Sequence, residues 1–244
     1  MIFEGLPVTF EKRKRQRRVR LAYRNGALSV SGPWWVSQHD LLLFLEQHRA
    51  WVINTKAKVN HRSKELLSNH GNPLQDVLYL GKAYRLHWEV DEAIPEGSLH
   101  VDIQEEVFCF RGGFSIDWDE LSEEQHDEIS RLIQRWLRNK ASEVLPDRVS
   151  SITGQHEFNF QRLFIRSQKT KWGTCSSKGN ISLNWKLIQC PEYVIDYLII
   201  HECCHLLEMN HSPAYWKWVE HYYPEYQKSE QWLKRYGSVV FSNY

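Results

Sequence analysis

The sequence lacks any long apolar run. No stretch of about 18 consecutive apolar residues occurs in the chain, and a membrane-spanning helix needs about that length. The opening residues, MIFEGLPVTF, also lack the basic start and the apolar core of a secretory signal peptide. We therefore expect a soluble, cytoplasmic protein with no membrane partner.

The cysteines lack the spacing of a disulfide framework. Five cysteines occur without any CxxC pair, which is typical of a protein from a reducing compartment. Cys203 and Cys204 are neighbours, and a helix separates adjacent side chains by about 100°, so we expect no bridge between them. Buried thiols most often act as small apolar side chains, and we expect both to fill the core.

The sequence also has no overall excess of charge. Its 31 Lys and Arg residues nearly balance 30 Asp and Glu residues, so no global field directs the protein to nucleic acid or to an anionic membrane. The charge is uneven, however, because one short run is strongly basic: Lys12, Arg13, Lys14, Arg15, Arg17, Arg18 and Arg20. This run indicates either a nucleic-acid contact or a strand edge kept basic to prevent aggregation.

No internal repeat or low-complexity tract is present, and the first part of the chain predicts strands and helices. A hairpin with a basic first arm turns at Asn25-Gly26, and a helix capped by Ser37 runs to about Val59. Hairpin-like strands follow at residues 77–90 and 99–110. The amphipathic pattern of residues 121–145 predicts a long helix that ends at Pro146.

The later part of the chain predicts two strands and a buried helix. Residues 164–167 and 181–185 have strand character and flank a glycine-containing loop. Pro191 is suited to a first helical position, and residues 194–207 are apolar on almost every side. Polar residues within such a helix need partners, and this one contains His201, Glu202 and His205.

These three polar residues form the pattern HExxH. His201 and His205 are four positions apart, so both imidazoles lie on one helix face and can bind one ion at about 2.0–2.1 Å. Glu202 follows the first ligand and can accept a proton from a water on that ion. The pattern is typical of zinc metalloproteases.

Such a site needs a third protein ligand, and His211 is the main candidate. Glu208 is the rival, and Glu220 and His221 remain open. The histidine spacing matches that of the metzincins, but Glu208 stands where their turn glycine would be and no Met-turn is present. We therefore expect the helix to end near residues 209–210, with Asn210 in a left-handed conformation that brings His211 to the metal.

The segment from Arg166 to Trp216 resembles the YgjP-like metal-dependent hydrolase family, which belongs with the zincin metallopeptidases and has SprT-like proteases as distant relatives. The resemblance is carried by WGTCSSKGNISLNW, HECCH and NHSPAYW. It implies one Zn²⁺ ion bound by His201, His205 and His211, with Glu202 as catalytic base. It also implies an α+β fold with a zincin-like core, in which a small sheet packs on the active-site helix.

The resemblance suggests a division of the chain and a role for the loop before the helix. We predict a strand-rich N-terminal region at residues 1–150 and the metallopeptidase core at residues 151–244. The loop that contains Trp172 and Cys175 is expected to line the cleft. The alternative is that it is an ordinary tight hairpin loop with no role in the cleft. Another divalent metal would fit the same ligands.

More than one substrate class fits the predicted site. We predict a zinc-dependent metallohydrolase that acts on peptides, with a UTP pyrophosphatase as the alternative, since some relatives carry that name. No Walker A loop is present, so phosphates would have to bind to basic residues near the motif. The candidate substrate-binding residues are Arg166, Lys171, Trp172 and Cys175, with Lys169 and Lys178 as further phosphate contacts. A third alternative is a nucleic-acid-associated protein in which the zinc is structural.

Overall fold

The computed structural model describes residues 1–24, 26–67, 76–90, 100–104, 107–112, 116–118 and 120–242. Within these ranges the chain is a mixed α/β protein of six α-helices and three small sheets. It forms two compact units, one of residues 1–65 and 236–243 and the other of residues 66–235 with 244. The division predicted between residues 150 and 151 falls within a helix of the second unit and stays a prediction.

The first unit contains a four-stranded sheet with the order β1-β2-β4-β3. Its strands are β1 (Ile2–Phe3), β2 (Leu6–Arg13), β3 (Arg20–Arg24) and β4 (Ala27–Pro33). β3 and β4 form the predicted antiparallel hairpin, whose Asn25 lies outside the described residues. The basic run was predicted to form the first arm of this hairpin, and that prediction is wrong. It spans the end of β2, a connection and the start of β3, because β2 instead pairs in parallel with β4.

Two helices complete the main part of this unit, α1 (Gln38–Gln47) and α2 (Arg49–Leu66). Ser37 caps α1 as predicted, in a reciprocal capping box with Asp40. The single helix predicted to Val59 is interrupted at His48, whose ring lies 4.2 Å from that of Phe44 and whose Nδ1 is 2.7 Å from the Phe44 carbonyl oxygen. The core of the unit joins the sheet to both helices through Leu28, Val30, Leu41, Leu45 and Val52.

The second unit contains two sheets. The first has the order β5-β6-β8-β7, formed by β5 (Asp76–Tyr79), β6 (Lys82–Val90), β7 (His100–Gln104) and β8 (Val107–Gly112). Both predicted hairpins are present in it, although Leu99 and the side chain of Cys109 lie outside the described residues. The other sheet has the order β10-β11-β9, formed by β9 (Arg162–Arg166), β10 (Gly173–Cys175) and β11 (Asn180–Asn184).

The helices of the second unit enclose a large apolar core. They are α3 (Glu123–Gln155), a 3₁₀ helix (Trp185–Gln189), α4 (Glu192–Cys204), α5 (Pro213–Tyr222) and α6 (Tyr226–Ser242), the last of which ends in the first unit. The prediction that α3 ends at Pro146 is wrong. The helix continues because its buried face does, from Leu145 to Val149 and Ile152, and this burial offsets the hydrogen bond that proline cannot donate.

The three-stranded sheet lies against α4. β11 is the central strand, paired in parallel with β9 and antiparallel with β10, so β10 is one of the two edge strands. β10 and α4 are in contact, which brings the glycine-containing loop predicted from the sequence to the helix that carries the histidines. No helix within the described ranges is both long and apolar enough to span a membrane.

Candidate metal centre

The helix that carries the motif is buried, as its apolar sequence predicts. Glu202, Cys203 and Cys204 are all inaccessible or nearly so, and both thiols belong to the core of the second unit, which confirms their predicted packing role. α4 ends at Cys204, and His205 is its C-cap residue. The helix is therefore shorter than predicted. A left-handed Asn210 is also wrong, because the non-glycine residues with positive φ in the described chain are Glu4, Leu80 and Glu157.

Three imidazoles meet near the C-terminal end of this helix. One ring nitrogen from each of His201, His205 and His211 lies within 4.8 Å of the others, and we call this group the histidine triad. The Nε2 atoms of His201 and His211 are 3.2 Å apart. The described residues form no second group of this kind, and the rival ligands Glu208, Glu220 and His221 are not part of it.

Hydrogen bonds orient the triad. His205 Nδ1 is 3.1 Å from the Glu208 carbonyl oxygen, an acceptor, so Nδ1 carries the proton and leaves Nε2 with a free lone pair. Tyr197 donates its hydroxyl to Glu230 and lies 3.4 Å from His201 Nδ1, which assigns His201 the same tautomer. Tyr215 supports both histidines, because its hydroxyl donates to the His201 carbonyl oxygen and its ring stacks on His205.

The triad fits a divalent transition-metal ion. Two nitrogen ligands at about 2.0–2.1 Å in a tetrahedral arrangement are about 3.4 Å apart, close to the 3.2 Å between the Nε2 atoms of His201 and His211. The pKa of His201 is lowered to about 3, mainly by burial and to a smaller extent by the neighbouring His205 and His211. The imidazole of His201 is therefore neutral at pH 7 and can donate a lone pair to a metal.

Glu202 lies beside the triad in a confined space. Burial raises its pKa to about 8, and the nearby Lys171 acts in the opposite direction. Gly173 in β10 is packed directly on this carboxylate, since a Cβ atom added there would be 2.5 Å from Glu202 Oε1. A residue with a side chain at position 173 would therefore displace the carboxylate.

An open cavity of about 260 Å³ exposes the triad. Lys171 and Cys175, two of the predicted substrate-binding residues, line this cavity together with Glu202. Burial raises the pKa of the Cys175 thiol to about 11. Trp172 instead packs against the apolar core, and the Arg166 guanidinium lies over the ring of Phe164, 4.7 Å from its centroid. Neither of these two residues is part of the cavity lining.

Several residues of the site were not predicted. Met209 lines the cavity, and Tyr197 and Glu230 support His201. Gly173 and Thr174 also line the cavity, and they belong to the loop that was expected to line the cleft. Tyr197 was detectable, because it lies four positions before His201 and therefore on the same helix face. Glu230 gave no signal, because it approaches α4 from another helix far along the chain.

Comparison with known protein families covers most of the chain. A family model described as "YgjP-like, metallopeptidase domain" matches residues 17–236. No curated protein matches the sequence. A solved structure, the metallopeptidase zymogen abylysin of Pyrococcus abyssi, is 21% identical over 38% of this chain and 94% of its own, with a TM-score of 0.34.

Proposed function

The chain belongs to the YgjP-like metallopeptidase family, and from this premise we propose that it is a zinc-dependent peptidase whose site is the histidine triad with Glu202. The observation that carries the proposal is the convergence of three imidazoles beside the buried Glu202 in an open cavity. We further propose that the three-stranded sheet and α4 form the zincin-like core expected from the sequence.

His201, His205 and His211 would hold the ion in this proposal. A zinc ion with three protein ligands and an open position acts as a Lewis acid, lowers the pKa of a bound water to about 7 and polarises a carbonyl group. Three ligands favour a catalytic over a structural site, because structural zinc is almost always bound by four protein ligands. The triad therefore does not favour the alternative of a nucleic-acid-associated protein with structural zinc.

Glu202 is proposed as the general base. Its carboxylate is oriented by Gly173 and is poorly solvated, which increases its affinity for a proton. A divalent cation held by the triad would favour the ionised form that acts as a base. It accepts the proton of the attacking water and transfers it to the amine that leaves. Lys171 is the cation of the cavity lining and moderates the negative charge on Glu202.

Peptide is favoured over nucleotide as the substrate. β10 is an edge strand, and Gly173, Thr174 and Cys175 line the cavity beside the triad. An extended peptide can pair with such an edge through backbone hydrogen bonds. A nucleoside triphosphate would require several cations around its phosphates. Among the described residues that line the cavity, however, Lys171 is the only lysine or arginine.

The decisive experiment compares Glu202→Gln with His205→Ala. We expect Glu202→Gln to retain zinc, measured by atomic absorption, and to lower kcat on a library of quenched fluorescent peptides by about 10²–10⁴-fold. His205→Ala should lose both zinc and activity. Peptide cleavage that persists in the zinc-loaded Glu202→Gln protein would contradict the role of Glu202.

The same proteins test the nucleotide alternative. Pyrophosphate release from UTP and other nucleoside triphosphates is measured in parallel with peptide cleavage. Release by the native protein that disappears in Glu202→Gln, without any peptide cleavage, would replace the peptidase proposal by a nucleotide pyrophosphatase at the same site.

A further inference from the structure

The basic run lies in the first unit and is almost free of neutralising partners. We call residues 12–20 the basic segment; seven of its nine residues are Lys or Arg, and all seven are exposed. Arg13 pairs with Glu11. The other six make no ion pair with any residue that the structure describes. The rest of the chain has 24 Lys and Arg against 30 Asp and Glu, so these seven cations offset its excess of negative charge.

The basic segment has a defined conformation. Its first residues belong to β2, in which Arg13 pairs with Pro33 of β4, and its last residue belongs to β3, in which Arg20 pairs with Ser31. Between them, Gln16 donates from its amide to the carbonyl oxygen of Arg18 at 2.6 Å and to that of Ser31 at 2.8 Å. The cations are therefore presented on an ordered loop whose backbone is tied to the sheet.

Two exposed indole rings adjoin this array. Trp34 and Trp35 follow Pro33, the residue that pairs with Arg13, and they are 62% and 60% exposed. Their ring centroids are 6.0 Å apart at an interplanar angle of 88°. Neither ring is needed for the core of the first unit, whose residues lie on the sheet and on α1 and α2. Adjacent exposed tryptophans of this kind mark a binding surface.

We propose that the basic segment with Trp34 and Trp35 binds single-stranded nucleic acid. Cations that follow a strand and its loop match the regular charge of a phosphate backbone, and aromatic rings at their border can stack on unpaired bases of any sequence. A duplex hides its bases and would use the cations alone. A membrane is less suited, because residues 37–40, which follow the indoles, are polar and exposed, and they offer no apolar surface to insert.

The test measures binding of the full-length protein to a fluorescein-labelled oligodeoxythymidylate of about 15 nucleotides by fluorescence anisotropy over a range of salt. We expect binding that weakens steeply with salt and is stronger than binding of a duplex of equal length. Replacing Arg15, Arg17 and Arg18 by Gln should reduce the slope of log K against log salt by about 2, since each phosphate contact of a single strand contributes about 0.7. The double variant Trp34→Ala/Trp35→Ala should weaken binding at least about tenfold and leave the slope nearly unchanged.

Matched variants separate these effects from general changes in charge or stability. Lys58→Gln/Lys64→Gln/Lys217→Gln removes three exposed cations from other helices, and Trp218→Ala removes an exposed indole on α5. Both controls should bind like the native protein, and circular dichroism should show that every variant is folded.

Three results would overturn the proposal. The first is the absence of binding at about 50 mM salt, where phosphate contacts are strong. The second is binding that is equal for duplex and single strand and insensitive to the loss of both indoles, which would indicate a nonspecific polyanion contact. The third is binding of vesicles of phosphatidylserine and phosphatidylcholine without binding of the oligonucleotide, which would indicate a membrane surface.

Discussion

At the scale of single residues, the absence of a side chain at Gly173 leaves room for the Glu202 carboxylate. Gly173→Ala should lower kcat by about tenfold to a hundredfold, because the added methyl group would lie 2.5 Å from Oε1 and shift the carboxylate. Zinc content should not change, since position 173 is not one of the triad. Gly154→Ala is the control, because a Cβ added at Gly154 meets no atom within 4 Å. Equal kcat values for both variants would show that the contact does not orient Glu202.

Tyr197 and Glu230 orient the ring of His201, which is also tested by single substitutions. Tyr197→Phe removes the hydroxyl that lies between His201 Nδ1 and the Glu230 carboxylate. Partners of this kind orient a metal-binding histidine, and their loss typically weakens metal affinity by about 10- to 100-fold. Competition with a chelator should detect this loss. Tyr223→Phe is the matched control, because its hydroxyl donates to the Tyr193 carbonyl oxygen instead. An unchanged zinc affinity in Tyr197→Phe would exclude this positioning role.

Helix α3 provides a test at the scale of one element. Pro146 lies within its 33 residues and cannot donate the backbone hydrogen bond to the carbonyl oxygen of Ser142. Pro146→Ala should therefore raise the free energy of unfolding by up to about 3 kcal/mol, measured by urea denaturation. Ser142→Ala, an exposed substitution one turn earlier, provides the reference for a change of side chain alone. A loss of stability in Pro146→Ala would mean that the core depends on a bend at this residue.

Local patterns predicted some elements correctly and failed at others for identifiable reasons. The cap of Ser37 and the hairpin of β3 and β4 depend on neighbours in sequence, so the sequence was sufficient to predict them. The parallel pairing of β2 with β4, and of β9 with β11, joins segments whose order no local pattern specifies. Helix α3 passes Pro146 because of tertiary burial, which outweighs a local rule.

The candidate site was predicted unevenly for the same reason. The histidines and Glu202 form a compact motif, so their proximity follows from helix geometry and one turn of chain. The end of α4 at Cys204 was missed because no glycine or proline marks it. The packing of Gly173 on Glu202 joins a sheet to a helix, and no periodicity of either element could predict it.

Stability of the whole molecule should depend on the ionisation of Lys186. Burial lowers the pKa of this lysine from 10.5 to about 8. Between these values the unfolded chain binds more protons than the folded one, so the contribution of Lys186 to stability improves as pH rises through this range. Lys186→Met should be more stable than the native protein at pH 7, and the difference in unfolding free energy should shrink from pH 8 to 10.5. Lys58→Met controls for the loss of one positive charge, and a difference that is constant with pH would contradict the prediction.

The crowding of seven cations into residues 12–20 also has a practical consequence. A net charge of +1 suggests a molecule that hardly interacts with a charged resin at pH 7. A column, however, responds to the most concentrated charge that it can touch and not to the sum over the molecule. The protein should therefore be retained on a cation exchanger far longer than a protein with an evenly distributed charge of +1. Of two variants with identical net charge, the one that has lost Arg15, Arg17 and Arg18 should elute clearly before the one that has lost Lys58, Lys64 and Lys217.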